Sequence, residues 1–152
     1  MTKLKVLDLF SGIGGFSRGL EMAGAFETVA FCEIEPFQRR VLAKNWPGVP
    51  CFHDIRDLTA DKLRSAGISI DVICGGFPCQ DISAAGRRAG LKGTRSVLGL
   101  EYVRLIGELR PKYAILENSS ELLDNGVDDL LAALASIRFD AGTSGSCAAR
   151  AS

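Results

Sequence analysis

Leu4-Lys5-Val6-Leu7-Asp8-Leu9-Phe10-Ser11-Gly12-Ile13-Gly14-Gly15 is the stretch that decides the fold. A mostly apolar run breaks at a glycine loop, after which Phe16, Leu20 and Ala23 recur at helical spacing. Strand, glycine loop and helix in that order form the first unit of an alternating α/β chain. Glycine lets a ligand approach the backbone closely, and the first N–H groups of a helix aim partial positive charge at it. The spacing is not that of a dinucleotide loop: Ser17 stands where G-x-G-x-x-G requires its third glycine. Glu33, roughly 20 residues on at the end of the next apolar run, stands where an acid accepts hydrogen bonds from ribose hydroxyls. Together they predict an adenosine-type ligand without a pyrophosphate. A glycine turn and a surface acid explain either feature alone, but explain the pair less well.

The alternation continues outward from this unit. Gly24 suits a helix end, Thr28 to Cys32 a second strand, and Pro36 the first turn of a helix burying Phe37, Val41 and Leu42 before Trp46-Pro47-Gly48. Pro50 to Ile55 reads as a short extended piece, and Thr59 as the cap of a helix reaching about Ala66. The strand Ile70 to Cys74 then runs into Gly75-Gly76-Phe77-Pro78-Cys79-Gln80, a segment suited to holding a thiol rigidly beyond a strand's carboxyl end, where open α/β sheets bind ligands. From Gln80 to Val97 no strong period appears, and Arg87, Arg88, Lys92 and Arg95 face the single acid Asp81, which predicts a functional or mobile loop. Leu100, Val103, Ile106 and Leu109 mark a helix, and Tyr113 to Leu116 a strand ending at Glu117-Asn118. Val127, Leu130, Leu131, Leu134 and Ile137 mark a last amphipathic helix. The expected architecture is α/β, a mainly parallel sheet with helices on both faces, over residues 1–138. Residues 139–152, largely small and polar without a period, are expected to form a disordered tail.

Composition narrows the function. The 152 residues suit one domain, and eighteen basic against eighteen acidic residues give no net charge, so contact with nucleic acid requires local patches. Five cysteines without a CxxC pair argue against a disulfide framework and for a reducing compartment. No signal or membrane-spanning segment is evident, so a cytoplasmic protein is expected. Cys51, His53, Cys74 and Cys79 lack the paired knuckles of zinc sites, so no metal is expected, and Cys32, Cys51 and Cys74 read as small buried hydrophobes.

Asp8 to Phe16, Glu33, Asp54-Ile55, Gly76-Phe77-Pro78-Cys79-Gln80 and Glu117-Asn118, in this order and at these separations, resemble the DNA (cytosine-5) methyltransferase family over residues 4 to about 138. The amino-group DNA methyltransferases carry an acid or Asn followed by Pro-Pro-aromatic, which is absent here. The resemblance implies a Rossmann-like S-adenosylmethionine-dependent methyltransferase fold and methyl transfer from that cofactor to C5 of cytosine. Cys79 then matches the thiolate that bonds covalently to C6, and Glu117 the carboxyl that hydrogen-bonds N3. Phe10, Ser11, Gly12, Gly14, Glu33, Ile34, Asp54, Ile55, Pro78 and Leu98 match cofactor-lining positions. Gln80, Ser83, Arg87, Arg88 and Arg95 match the segment closing over double-stranded DNA, whose target cytosine the family flips out of the stack. A solvated basic loop is the plainer account of the arginines.

The sequence departs from the family pattern in two places. Ser119 follows Glu117-Asn118 where valine is usual, which leaves the carboxylate intact. The family's later basic motif, its target recognition region and its final cofactor-pocket motif do not follow Arg138, and Gln38-Arg39-Arg40 reads as ordinary helix surface. The expectation is therefore an incomplete enzyme, or a split one completed by a second chain. The alternatives are a non-catalytic remnant or binding module, and a tRNA cytosine-5 methyltransferase-like enzyme.

Overall fold

The computed structural model describes residues 2–77, 94–117, 127–142 and 147–151. In chain order its elements are β1 (Leu4–Leu9), α1 (Gly15–Met22), β2 (Phe26–Cys32), α2 (Pro36–Asn45), β3 (Cys51–Phe52), α3 (Ala60–Ser65), β4 (Val72–Gly75), α4 (Thr94–Leu109), β5 (Tyr113–Leu116), α5 (Val127–Ser136), β6 (Phe139–Gly142) and β7 (Cys147–Ala151). The strands form one sheet in the order β3-β2-β1-β4-β5-β7-β6. Strands β1 to β5 are parallel, and β7 runs reversed between β5 and β6. The order turns back between β1 and β4, so the loops leaving these two strands part company and open a crevice at their carboxyl ends. No described helix is long and apolar enough to cross a membrane.

Side chains alternate between the two faces of the sheet. Val6, Val72 and Cys74 pack beneath Phe16 and Leu20 of α1. Leu7, Leu9 and Ile73 point the other way, into the larger core with Leu63 of α3, Tyr102, Leu105 and Ile106 of α4, and Leu134 of α5. Leu7 and Ile73 are 0% exposed. Trimming either to alanine costs about 2–5 kcal/mol, because the crowded surroundings cannot collapse into the gap.

Three features differ from the sequence expectation. Phe37 is 63% exposed, and Leu42 is the buried residue of α2, because this helix lies over a sheet edge where β3 offers only two residues. The Arg40 guanidinium lies over the Phe37 ring, 5.9 Å from its centroid. Helix α4 begins at Thr94, ahead of the apolar stripe, so the long aperiodic stretch becomes helical before Leu100. The expected disordered tail is corrected by β6 and β7, with Tyr113 opposite Arg150 and Leu116 opposite Cys147. Small residues such as Ala148 and Ala149 carry no alternating pattern to read, yet main-chain pairing along the edge of β5 needs none.

Candidate active site

The loop after β1 is built from backbone conformations that side chains usually avoid. Phe10 has φ 52°, Gly12 φ 55° and Gly14 φ 88°. For Phe10 this costs on the order of 1–2 kcal/mol, offset by the hydrogen bonds around it. The Ser11 hydroxyl donates to the Asp8 carbonyl at 2.6 Å and accepts from the Cys32 N–H at 3.3 Å, which staples the loop to β2 and turns the hydroxyl inward. Gly12 N–H donates to Glu33 Oε2 at 2.7 Å, and Glu35 N–H to Glu33 Oε1 at 2.8 Å. Glu33 is 8% exposed, and each carboxylate oxygen keeps a lone pair beyond the one these donors use. Ile13 and Ile34, 59% and 47% exposed, are apolar residues of the loops after β1 and β2.

Beneath the loop lies a buried carboxylate, that of Asp8. Asp8 projects toward α1 and is 1% exposed. It accepts from the Ser17 hydroxyl at 2.6 Å and the Ser17 N–H at 3.3 Å, and the Cys74 thiol is hydrogen-bonded to it. Burial pushes its pKa up to about 7, more than these hydrogen bonds pull it down. Ser17, met in the sequence as a missing glycine, is what ties the first turn of α1 to β1. Burial also raises the Cys74 thiol, and raises Cys32 to about 12, so both are inert packing thiols.

Asp54 follows β3, held in a tight turn. Arg56 donates to Asp54 Oδ1 from its N–H at 2.9 Å and its Nε at 3.0 Å, and to Oδ2 from Nη2 at 2.5 Å, which lowers the Asp54 carboxyl to about 2. Ile55 is 4% exposed and belongs to the core. What secures this turn comes from a distant helix. Arg104 of α4 donates to the carbonyls of Ile55 and Leu58 at 3.0 and 2.9 Å while paired with Glu101 and Glu108 at 2.6 Å each. Glu108 in turn accepts from the Ala60 N–H at 3.0 Å. The two acids lie within one helical turn of Arg104, whereas its carbonyl partners lie 49 and 46 residues away in the chain.

The loops after β1, β4 and β5 meet at the crevice. A Cβ on Gly75 would lie 2.0 Å from the Leu9 carbonyl oxygen, and one on Gly76 would lie 2.6 Å from Glu117 Oε2, so only glycine permits these approaches. Glu117 N–H donates to the Gly75 carbonyl at 3.1 Å, and its exposed side chain lies along Gly76. Phe77, 8% exposed, meets Phe10 edge to face with centroids 6.4 Å apart. Gly99 of α4 closes on the Phe77 ring, and Leu98 packs against the core beside it. Phe10, Gly12, Gly14, Glu33, Phe77 and Glu117 thus come from strand ends that adjoin in the sheet. Pro78, Cys79, Gln80, Ser83, Arg87 and Arg88 lie outside the described residues, as does the side chain of Arg95.

These residues fit an adenosyl group better than a phosphate. Glu33 keeps lone pairs for hydroxyl hydrogens, Ile34 beside it in sequence is exposed and apolar, and both oxygens of Asp54 are engaged by Arg56. The chain's relatives bear on the same reading. A sequence model of the C-5 cytosine-specific DNA methylases matches residues 4–138. The chain belongs to this family. The type II methyltransferase M2.BsuMI of Bacillus subtilis is 40% identical over 124 residues, covering 79% of this chain and 30% of that protein. M.XorII of Xanthomonas oryzae is 43% identical over 124 residues, covering 78% and 28%. Among solved structures, a DNA modification methyltransferase encoded within an Escherichia coli prophage superposes with TM-score 0.72 at 27% identity, covering 92% of this chain and 40% of that one. A Spodoptera frugiperda DNMT2 mutant gives TM-score 0.76 at 24% identity, covering 98% and 50%, a likeness of fold. The fold is thus the Rossmann-like one of methyltransferases, and the chain spans about 30% of the length of these two curated methylases.

Proposed function

We propose that this chain carries the S-adenosylmethionine site and the nucleophile segment of a DNA (cytosine-5) methyltransferase. The observation that supports this most is the convergence of three loops at the crevice: the Phe10–Phe77 contact joins the glycine loop to the segment leading to Cys79, and Gly76 brings Glu117 alongside it. In this reading Glu33 accepts from the ribose hydroxyls, Asp54 from the adenine amino group, and Phe10, Ser11, Gly12, Gly14, Ile34, Ile55, Pro78 and Leu98 complete the cofactor's surroundings. S-adenosylmethionine would supply an electrophilic methyl group here and leave as S-adenosylhomocysteine.

Cytosine C5 is a poor nucleophile until C6 is attacked. The Cys79 thiolate forms a bond to C6, and the C5–C6 π pair moves to C5. Glu117 hydrogen-bonds N3 and stabilises the charge that the attack pushes into the ring. Once C5 is methylated, loss of its proton returns the pair to the C5–C6 bond and expels the Cys79 sulfur. Gln80, Ser83, Arg87, Arg88 and Arg95 meet double-stranded DNA with the target cytosine flipped out, the arginines on phosphate. Turnover requires the region that the longer relatives carry beyond the matched part, in the same polypeptide or in a second chain. The reaction is expected in the cytoplasm.

The test is trapping on duplex DNA that carries 5-fluorocytosine, whose C5 has no proton to lose. With cofactor and the completing region supplied, a denaturation-resistant adduct should form and should vanish in Cys79→Ser. No adduct with either duplex DNA or tRNA supports a non-catalytic remnant, and labelling of tRNA alone moves the substrate to RNA.

A further inference from the structure

The single tryptophan of the chain lies behind the glycine loop, outside the residues assigned to the ligand. Trp46 closes the C-terminus of α2, its N–H donating to the Leu42 carbonyl at 2.8 Å. Its indole N–H donates to both carboxylate oxygens of Glu21, at 3.1 and 3.0 Å, and Glu21 also accepts from the Thr28 N–H at 3.2 Å. Phe31 of β2 meets the indole edge to face at 5.2 Å between centroids. The far edge of the indole presses on Gly14, where a Cβ would lie 2.5 Å from Cζ3 and 2.6 Å from Cη2. Gly14 is the N-cap of α1, donating to the Ser11 carbonyl at 2.8 Å and accepting from the Arg18 N–H at 2.9 Å.

One ring therefore touches both ends of α1: Gly14 before its first turn and Glu21 in its last. Helix α1 cannot slide or tilt, and the Ser11–Gly14 turn cannot shift outward, without displacing the indole from Glu21 or from Phe31. We propose that Trp46 is a positioning residue for the ligand loop, fixing through Gly14 how the Phe10–Gly14 backbone meets an adenosyl ligand. This rests on the S-adenosylmethionine reading of the loop. It gives Glu21 a second part in the same brace, and it makes the indole a reporter of loop occupancy.

The experiment titrates the chain with S-adenosylhomocysteine, following heat and tryptophan emission together. The emission should change along the same binding curve as the heat. Trp46→Phe keeps a ring against Gly14 but loses the donor to Glu21, and Glu21→Ala loses the acceptor while keeping the indole. Each should weaken binding from a few-fold to about tenfold, as expected for loss of one organising hydrogen bond. Leu134→Ala, a core truncation in α5, should lower the melting temperature yet leave the affinity unchanged. If the unaltered chain binds while its emission stays constant, or if Trp46→Phe and Glu21→Ala bind as tightly as it does, the brace is refuted. If Leu134→Ala weakens binding as much as they do, the effect is general loosening and the brace is also refuted. No heat from the unaltered chain at millimolar ligand overturns the cofactor reading and the brace with it.

Discussion

Replacing Asp8 by asparagine should remove a pH dependence from the fold. The carboxyl is 1% exposed, and burial raises its pKa from 3.8 to about 7. A folded pKa above the unfolded one means that the native state holds the proton more tightly. The stabilisation is thus complete below about pH 4 and is lost as pH rises through 7. The gap corresponds to roughly 4 kcal/mol, lost at up to about 1.4 kcal/mol per pH unit. For a chain of this size that is a fall in melting temperature of roughly 10 °C. Asparagine has nothing to titrate and can still accept from Ser17 through its amide oxygen. The assay is urea unfolding of both proteins at intervals from pH 5 to 8.5. The unaltered chain should lose stability across this range relative to Asp8→Asn, whatever constant offset separates them. Parallel profiles would show that Asp8 stays ionised throughout, so that Ser17 and Cys74 outweigh burial.

Arg104→Ala should lower stability by about 2–3 kcal/mol, since it strips partners from two carbonyls and two carboxylates at once. Hydrogen exchange should show faster protons at residues 55–58, with Arg104→Lys recovering only part of the protection because ammonium lacks the planar fork. Gly76→Ala should push the Glu117 carboxylate off its seat and, like Glu117→Gln, slow adduct formation on 5-fluorocytosine DNA by about a hundredfold or more. Circular dichroism should confirm that Glu117→Gln remains folded. Arg56→Ala should raise the Asp54 carboxyl from about 2 toward the ordinary aspartate range, read by NMR titration.

The parallel sheet and its crevice were legible because each unit announces itself twice, in an apolar run and in the glycine or proline that ends it. Leu4 to Gly15 and Ile70 to Phe77 are the clearest cases, and both fall where expected. Legibility failed where position depends on distant partners. Phe37 is apolar at a helical spacing that suggests burial, but the shortness of β3 leaves it outside. Trp46 read only as the end of a helix, because nothing local ties it to Gly14 or Glu21. Arg104 spells a surface ion pair with Glu101 and Glu108, while its carbonyl partners lie on the turn before α3. Residues 139–142 and 147–151 lack a pattern because their order comes from the neighbouring strand and not from their own side chains.

The edge-to-face contact of Phe10 with Phe77 has a thermodynamic corollary. Both rings sit at the roots of separate loops, so whatever fixes one restricts the other. If a small ligand on the first loop tightens the grip of the second on a nucleobase, reciprocity demands that the nucleobase tighten the ligand by the same factor. Order of addition would then matter to rates and not to the final equilibrium. Equal ratios from the two titrations, lost together in Phe10→Ala, would be the signature of that exchange.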